Sequence, residues 1–136
     1  MRLSLLLHTR RRGGFTLVEI MIVVAIIALL ASIAVPGFLR ARKRSQASRV
    51  INDLRLLDGA TDQYAIENKK TTGTTATFTD LQVYLKKAGA LYNSGRDVLG
   101  NVYGPTFTVD SLPRVPTNTR TSLSDVANTA FWSPYP

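Results

Sequence analysis

One stretch decides the fold of this chain: residues 13–39 have the sequence GGFTLVEIMIVVAIIALLASIAVPGFL. No charged residue lies between Glu19 and Arg40, so residues 20–39 form an uncharged run of 20 residues. An α-helix of that length spans about 30 Å, which matches the hydrocarbon core of a bilayer. We therefore predict a transmembrane helix over residues 15–39.

Pro36 lies near the end of the apolar run and is followed by Gly37. Because proline has no backbone N–H, it leaves the carbonyl of Ser32 without its helical donor. We expect a kink or a local loosening of the helix at this point.

A second helical pattern follows the apolar run. Apolar and small polar residues recur there at spacings of three and four, namely Val50, Leu54, Leu57, Thr61 and Tyr64. This spacing predicts an amphipathic helix over residues 40–70 that continues the membrane span. The run Thr71-Thr72-Gly73-Thr74-Thr75 favours a loop and ends the helix.

The remaining residues, 71–136, predict a small C-terminal domain. Thr79-Asp80 is expected to cap a short helix over residues 81–88, which Gly89 ends. Turns are predicted at residues 94–97 and 99–101, and short strands at Tyr103 and at residues 106–109. Two to four short antiparallel strands are expected in all. The fold class is therefore α+β, with a long N-terminal helix packed on a small C-terminal domain.

Composition excludes several classes of chemistry. The 136 residues carry a formal charge of +8, but nine of the 17 basic residues flank the apolar run: Arg2, Arg10, Arg11 and Arg12 precede it, and Arg40, Arg42, Lys43, Arg44 and Arg49 follow it. Such flanks are typical of membrane topology and headgroup contact, and no nucleic-acid-binding motif accompanies them. The chain has no cysteine, and its single histidine, His8, precedes the span. We expect no catalytic residues, no metal site and no cofactor.

Glu19 requires an explanation, because a carboxylate at the head of a membrane helix costs a few kcal/mol when ionised. One interpretation is that Glu19 lies hydrated at the membrane surface. In the other, cleavage after Gly14 creates an α-amino group on Phe15, one helical turn from Glu19 and equally close to Glu19 of an adjacent copy. A charged pair inside an apolar bundle would specify the register of its helices.

The residues Gly14-Phe15-Thr16-Leu17-Val18-Glu19, followed by an apolar run with Pro36, resemble the class III signal of type IV prepilins and type II secretion pseudopilins. The resemblance implies a leader over residues 1–14, processing at Gly13, Gly14 and Phe15, and methylation of the Phe15 amine by the prepilin peptidase that removes the leader. It also implies that Glu19 pairs with the amine of a neighbouring subunit and that the helix loosens at Pro36 during assembly.

The function implied is that of a pilin-like structural subunit and not of an enzyme. The precursor would cross the inner membrane once, with its C-terminus outside, and an inner-membrane assembly platform would add it to a helical homo-oligomeric filament. The alternative is a type II secretion pseudopilin of the periplasm. Residues 97–103 resemble the Asp-x-x-Gly-x-x-Tyr turn of major pseudopilins, although Asp, Gly and Asn also favour ordinary hairpin turns.

Two further interpretations stay open. Ser32-Ile33-Ala34 could serve as the site of a conventional signal peptide, and cleavage after Ala34 would release an exported binding protein. An uncleaved chain would remain a membrane-anchored protein.

Major pseudopilins also bind calcium. The oxygen donors nearest to such a pattern here are Asp110, Ser122, Ser124 and Asp125, but no organised loop of carboxylates accompanies them.

Overall fold

The computed structural model describes residues 13–136. The predicted leader, with His8 and the basic residues 10–12, lies outside the described residues except for Gly13 and Gly14. The chain divides into two compact units, Met1–Gly37 and Phe38–Pro136.

The first and longest element is helix α1, Leu17–Glu67, which contains 51 residues. It begins two residues later than predicted, because Thr16 acts as its cap, and it continues through Pro36 without a break in the helix. In the part of the chain that the structure describes, this is the one helix that is long and apolar enough to cross a membrane, and its most apolar window buries nothing within the chain.

Helix α1 ends three residues before the predicted Lys70. Lys69 has a φ of 51°, in the left-handed region, and the backbone N–H of Lys70 donates to the carbonyl of Ala65 at 2.8 Å. This bond, five residues back along the chain, closes the helix as a Schellman turn does, although lysine occupies the position that glycine usually takes.

In the second unit, one face of α1 packs into a hydrophobic core. The predicted periodicity is confirmed, because Val50, Leu54, Leu57 and Thr61 are buried and Tyr64 is partly buried. The buried partners come from the C-terminal residues and include Leu81, Leu91, Phe107, Leu123 and Trp132. The long helix therefore supplies one wall of the core that a short domain needs.

Two short strands form the sheet of this unit. Strand β1, Thr75–Thr77, pairs antiparallel with strand β2, Thr106–Thr108, so that Ala76 lies opposite Phe107. Both central residues are buried and their neighbours are more exposed, as the alternation of a two-sided strand requires. The prediction of β2 is confirmed, and the sheet lies within the expected range of two to four strands.

Four short helices complete the unit: α2, Phe78–Gln82; α3, Ala90–Ser94; α4, Thr117–Ser122; and α5, Thr129–Trp132. The predicted helix over residues 81–88 was wrong, because Thr77 and not Thr79 is the N-cap. The Thr77 side chain accepts from the Asp80 backbone, and the Asp80 carboxylate accepts from the Thr77 N–H at 2.8 Å, which starts α2 at Phe78. This reciprocal capping box holds the pKa of Asp80 below its usual range.

Candidate functional site

The predicted processing site lies immediately before helix α1. Gly13 and Gly14 have no regular secondary structure and are exposed, and an added Cβ at either position would meet nothing within 4 Å. Phe15 follows and is 85% exposed. The peptide bond between Gly14 and Phe15 is therefore accessible from outside the chain.

Thr16 and Glu19 cap the helix reciprocally. The Glu19 carboxylate accepts from the Thr16 backbone N–H at 2.7 Å and from the Thr16 hydroxyl at 2.9 Å. In return, the Glu19 backbone N–H donates to the Thr16 hydroxyl oxygen at 3.2 Å. This is a capping box, in which two of the unpaired donors of a helix N-terminus are satisfied. The sequence analysis did not predict this capping box, although the spacing Thr-x-x-Glu at residues 16–19 indicates one.

The capping box places the Glu19 carboxylate at the very start of the helix. Both hydrogen bonds from Thr16 reach the same oxygen, Oε2. Phe15 and Glu19 line one shallow surface depression of about 330 Å³, together with Ile20, Ile22 and Val23. Phe15 and Glu19 of one chain thus border the same depression, whose other lining residues are apolar; their pairing between two copies stays a prediction.

The apolar residues that follow are exposed throughout the first unit. The large ones each expose about half or more of their surface, among them Leu17, Ile27, Leu30 and Ile33. A continuous apolar surface of this kind marks a membrane or protein contact. Pro36 lies 17 positions after Glu19, about 25 Å along the helix at the usual rise per residue. Pro36 is therefore not part of the site around Phe15 and Glu19.

In the second unit, the predicted turn around Asp97 is confirmed and is built on hydrogen bonds to the buried Asp97 carboxylate. The Asp97 carboxylate accepts from the backbone N–H groups of Leu99 and Asn101, at 2.8 and 2.9 Å. It also accepts from the hydroxyl of Thr119, which in turn accepts from the Asn101 side chain at 2.9 Å. Asp97 is only 6% exposed, so these donors compensate its burial.

A half-open cavity of about 440 Å³, with several charged lining residues, lies beside this turn, against helix α1. Its charged lining residues are Arg49, Asp53, Arg96 and Asp97. Burial raises the pKa of Asp53, while the hydroxyl of Tyr103, which donates to it at 2.8 Å, acts in the opposite direction. Sequence reasoning did not find this cavity, because its two halves are distant along the chain.

Both carboxylates among the oxygen donors considered for calcium have other partners. Asp110 accepts from the hydroxyl of Thr72, and Asp125 forms an ion pair with Lys43 at 2.9 Å. Within residues 13–136 no group of three or more acidic or histidine side chains is placed to hold a metal ion.

The comparisons with known proteins give one family-model match, at the N-terminal stretch, and several similar proteins. Residues 9–35 match the model of the prokaryotic N-terminal methylation motif. Over 61 residues the chain is 39% identical to the type II secretion system core protein G of Klebsiella pneumoniae, and over 60 residues 37% identical to that of Escherichia coli K12. Over 60 residues it is 43% identical to the type IV major pilin protein PilA of Myxococcus xanthus.

These similarities cover only part of each protein. The matched regions are 45%, 44% and 44% of this chain, and 44%, 41% and 27% of the three relatives. No solved structure matches the chain. The chain therefore matches the prokaryotic N-terminal methylation motif over residues 9–35 and, over less than half of its length, is similar to type II secretion core proteins G and to a type IV major pilin.

Proposed function

We propose that this chain is the precursor of a structural subunit of a type IV pilus-like filament. A prepilin peptidase cleaves it between Gly14 and Phe15 and methylates the new amine of Phe15. The mature subunit then polymerises through its N-terminal helix, and Glu19 pairs with the Phe15 amine of a neighbouring copy. The role is structural and not enzymatic.

One observation carries this proposal: an accessible Gly14–Phe15 bond stands directly before a capped helix whose apolar surface is unburied. An apolar helix of this length is stable in a bilayer or inside a bundle of similar helices, but not in water. A subunit that leaves the membrane for a filament core uses both environments in turn. The motif matched over residues 9–35 supports the same order of events.

The precursor is expected in the inner membrane, crossing it once with its C-terminal unit outside. Its partners are the prepilin peptidase, an assembly platform in the same membrane and further copies of itself. Basic residues flank the span on both sides, so orientation is taken from the cluster at residues 10–12 within the leader, since the first signal usually dominates.

The mature N-terminus tests the proposal. The protein is expressed in a host with a prepilin peptidase and in a matched strain without it. The N-terminal sequence and the intact mass of the protein are then measured for both. We expect N-methylated Phe15 in the first host and full-length precursor in the second. A mature N-terminus at Val35 would indicate an exported binding protein instead, and an intact leader in both hosts would indicate a permanent anchor.

Glu19→Val separates processing from assembly. We expect normal cleavage after Gly14 but little incorporation into filaments, because the Phe15 amine then lacks its partner. Normal filament yield from this variant contradicts the assigned role of Glu19.

The second candidate is a periplasmic pseudopilus subunit of a type II secretion system. The named relatives from Klebsiella and Escherichia favour it, since both are core protein G of that system. Shearing intact cells distinguishes the two functions. A surface pilus appears in the sheared fraction, whereas a pseudopilus stays with the cells, and only the pseudopilin restores secretion to a strain lacking its own core protein G.

A further inference from the structure

Gly59 occupies an unexpected position in the second unit. It lies inside helix α1 and is exposed, and a Cβ added there would meet nothing within 4 Å. Glycine is the poorest helix former after proline, since it loses the most backbone entropy. Neither a turn nor close packing within the described residues calls for glycine here.

The surface around Gly59 is partly apolar. Leu56 is 47% exposed and Ile66 is 77% exposed, and both lie on the same side of the helix as Gly59 because they are three and seven residues away. We call Leu56, Gly59, Asp62 and Ile66 the Gly59 face. A small residue flanked by exposed apolar side chains allows another helix to approach closely.

The charges along the same helix indicate what approaches. From Arg40 to Asn52 the helix has five basic residues and no acidic one, and we call this the basic segment. From Asp53 to Glu67 it has four acidic residues and one arginine. Within residues 13–136 the single ion pair joins Lys43 to Asp125, so Asp58 and Asp62 have no ion-pair partner there. Burial and the charge of Asp62 both raise the pKa of Asp58.

Two parallel copies of such a helix complement each other when one is displaced along its axis. The basic segment of one copy then lies beside the acidic residues of the other, and the charges attract. An unshifted parallel pair would instead place like charges side by side. Displaced parallel copies are also what a helical filament of identical subunits contains.

We propose that the Gly59 face is a contact surface for the basic segment of helix α1 in a second copy of this chain. This inference rests on the proposed function, since it names a subunit contact in the filament. It adds a contact outside the membrane-spanning part, one in which Gly59 admits the neighbouring helix and Asp62 meets its basic side chains.

The absence of cysteine makes a direct test possible. In Gly59→Cys the new thiol is the only one in the chain, so a maleimide label reports on this position alone. Sheared filaments are labelled either intact or after dissociation in detergent, and the dissociated sample is the internal reference. We expect strong labelling after dissociation and little in intact filaments. Equal labelling in both samples overturns the proposal.

Substitutions test the need for glycine itself. Gly59→Ala and Gly59→Gln are expected to keep or raise the Tm of the detergent-solubilised full chain, because both residues favour helix. Filament yield is expected to fall, by about tenfold or more for Gln, because the larger side chain blocks the neighbouring helix. If both variants assemble like the wild type, the contact does not exist.

Charge reversal tests the partner. Asp62→Arg places a cation against the basic segment, and we expect lower filament yield than from Asp62→Asn, with the same Tm for both. Equal yields from the two variants contradict the pairing. Failure of the Gly59 contact can be told apart from failure of the proposed function. If the wild type is never cleaved and never polymerises, both the contact and the proposed function are wrong. If filaments form but the thiol of Gly59→Cys is accessible in them, only the contact is wrong.

Discussion

The hydroxyl of Tyr103 donates to the carboxylate of Asp53 at 2.8 Å, across 50 positions of the sequence. Asp53 lies on helix α1, and Tyr103 follows the turn that Asp97 holds, so this bond joins the helix to the loop region of the second unit. Tyr103 is only 6% exposed, and burial together with the Asp53 carboxylate raises the pKa of its phenol. The two groups therefore depend on each other for their hydrogen bonding.

Tyr103→Phe is expected to lower the free energy of unfolding of the second unit by about 1–3 kcal/mol, because the partly buried Asp53 carboxylate loses its donor. Denaturant unfolding of the detergent-solubilised chain measures this through the fluorescence of Trp132, the only tryptophan, which is fully buried. Tyr92→Phe removes a hydroxyl outside this bond and is the matched control. Equal stability of the two variants would show that the bond contributes nothing.

Alkaline pH should weaken the same bond. The folded state keeps the Tyr103 proton, while the unfolded state releases it above about pH 10. The stabilisation is therefore complete below about pH 10 and is lost as the pH rises further, by about 1.4 kcal/mol per pH unit for one proton. Between pH 9 and 11, the free energy of unfolding should fall less steeply with rising pH for Tyr103→Phe than for the wild type. Parallel curves would exclude this proton linkage.

The capping box at the start of α1 predicts a local effect. Thr16→Ala removes the hydroxyl that accepts from the Glu19 N–H, and we expect a loss of about 1 kcal/mol in the stability of the first helical turn. Faster amide hydrogen exchange at Glu19, measured by NMR in detergent micelles, reports this loss. Thr16→Ser keeps the hydroxyl and should exchange like the wild type. An unchanged rate in Thr16→Ala would mean that the cap does not hold the turn.

The two sides of helix α1 should respond differently to the same substitution. Leu54 is fully buried, so Leu54→Ala is expected to cost about 2–5 kcal/mol of the free energy of unfolding. Leu56 is 47% exposed, and Leu56→Ala should stay within about 0.5 kcal/mol of the wild type. The same Trp132 fluorescence measurement applies to both. A comparable loss from both variants would contradict the assigned face of the helix.

Some features of the C-terminal unit were predictable and others were not. The strand at residues 106–108 and the turn at Asp97 follow from β-branched residues and from turn-forming Asp, Gly and Asn. Helices α3, α4 and α5 were not predicted, because elements of four to six residues are too short to show a helical period. The structure buries the C-terminal aromatic residues Trp132 and Tyr135 and leaves Phe131 partly buried under Arg44.

The sequence by itself determined helix α1, its apolar surface, the buried positions of its second half and the place of the Gly14–Phe15 junction before it. Each of these depends on neighbouring residues, because hydrophobic spacing and capping act within one or two helical turns. Only the tertiary structure decided that Tyr103 meets Asp53 and that Thr119 meets Asp97, which are 50 and 22 positions apart. Such pairs form when the packing of the whole core brings distant segments together, and no local pattern encodes that choice.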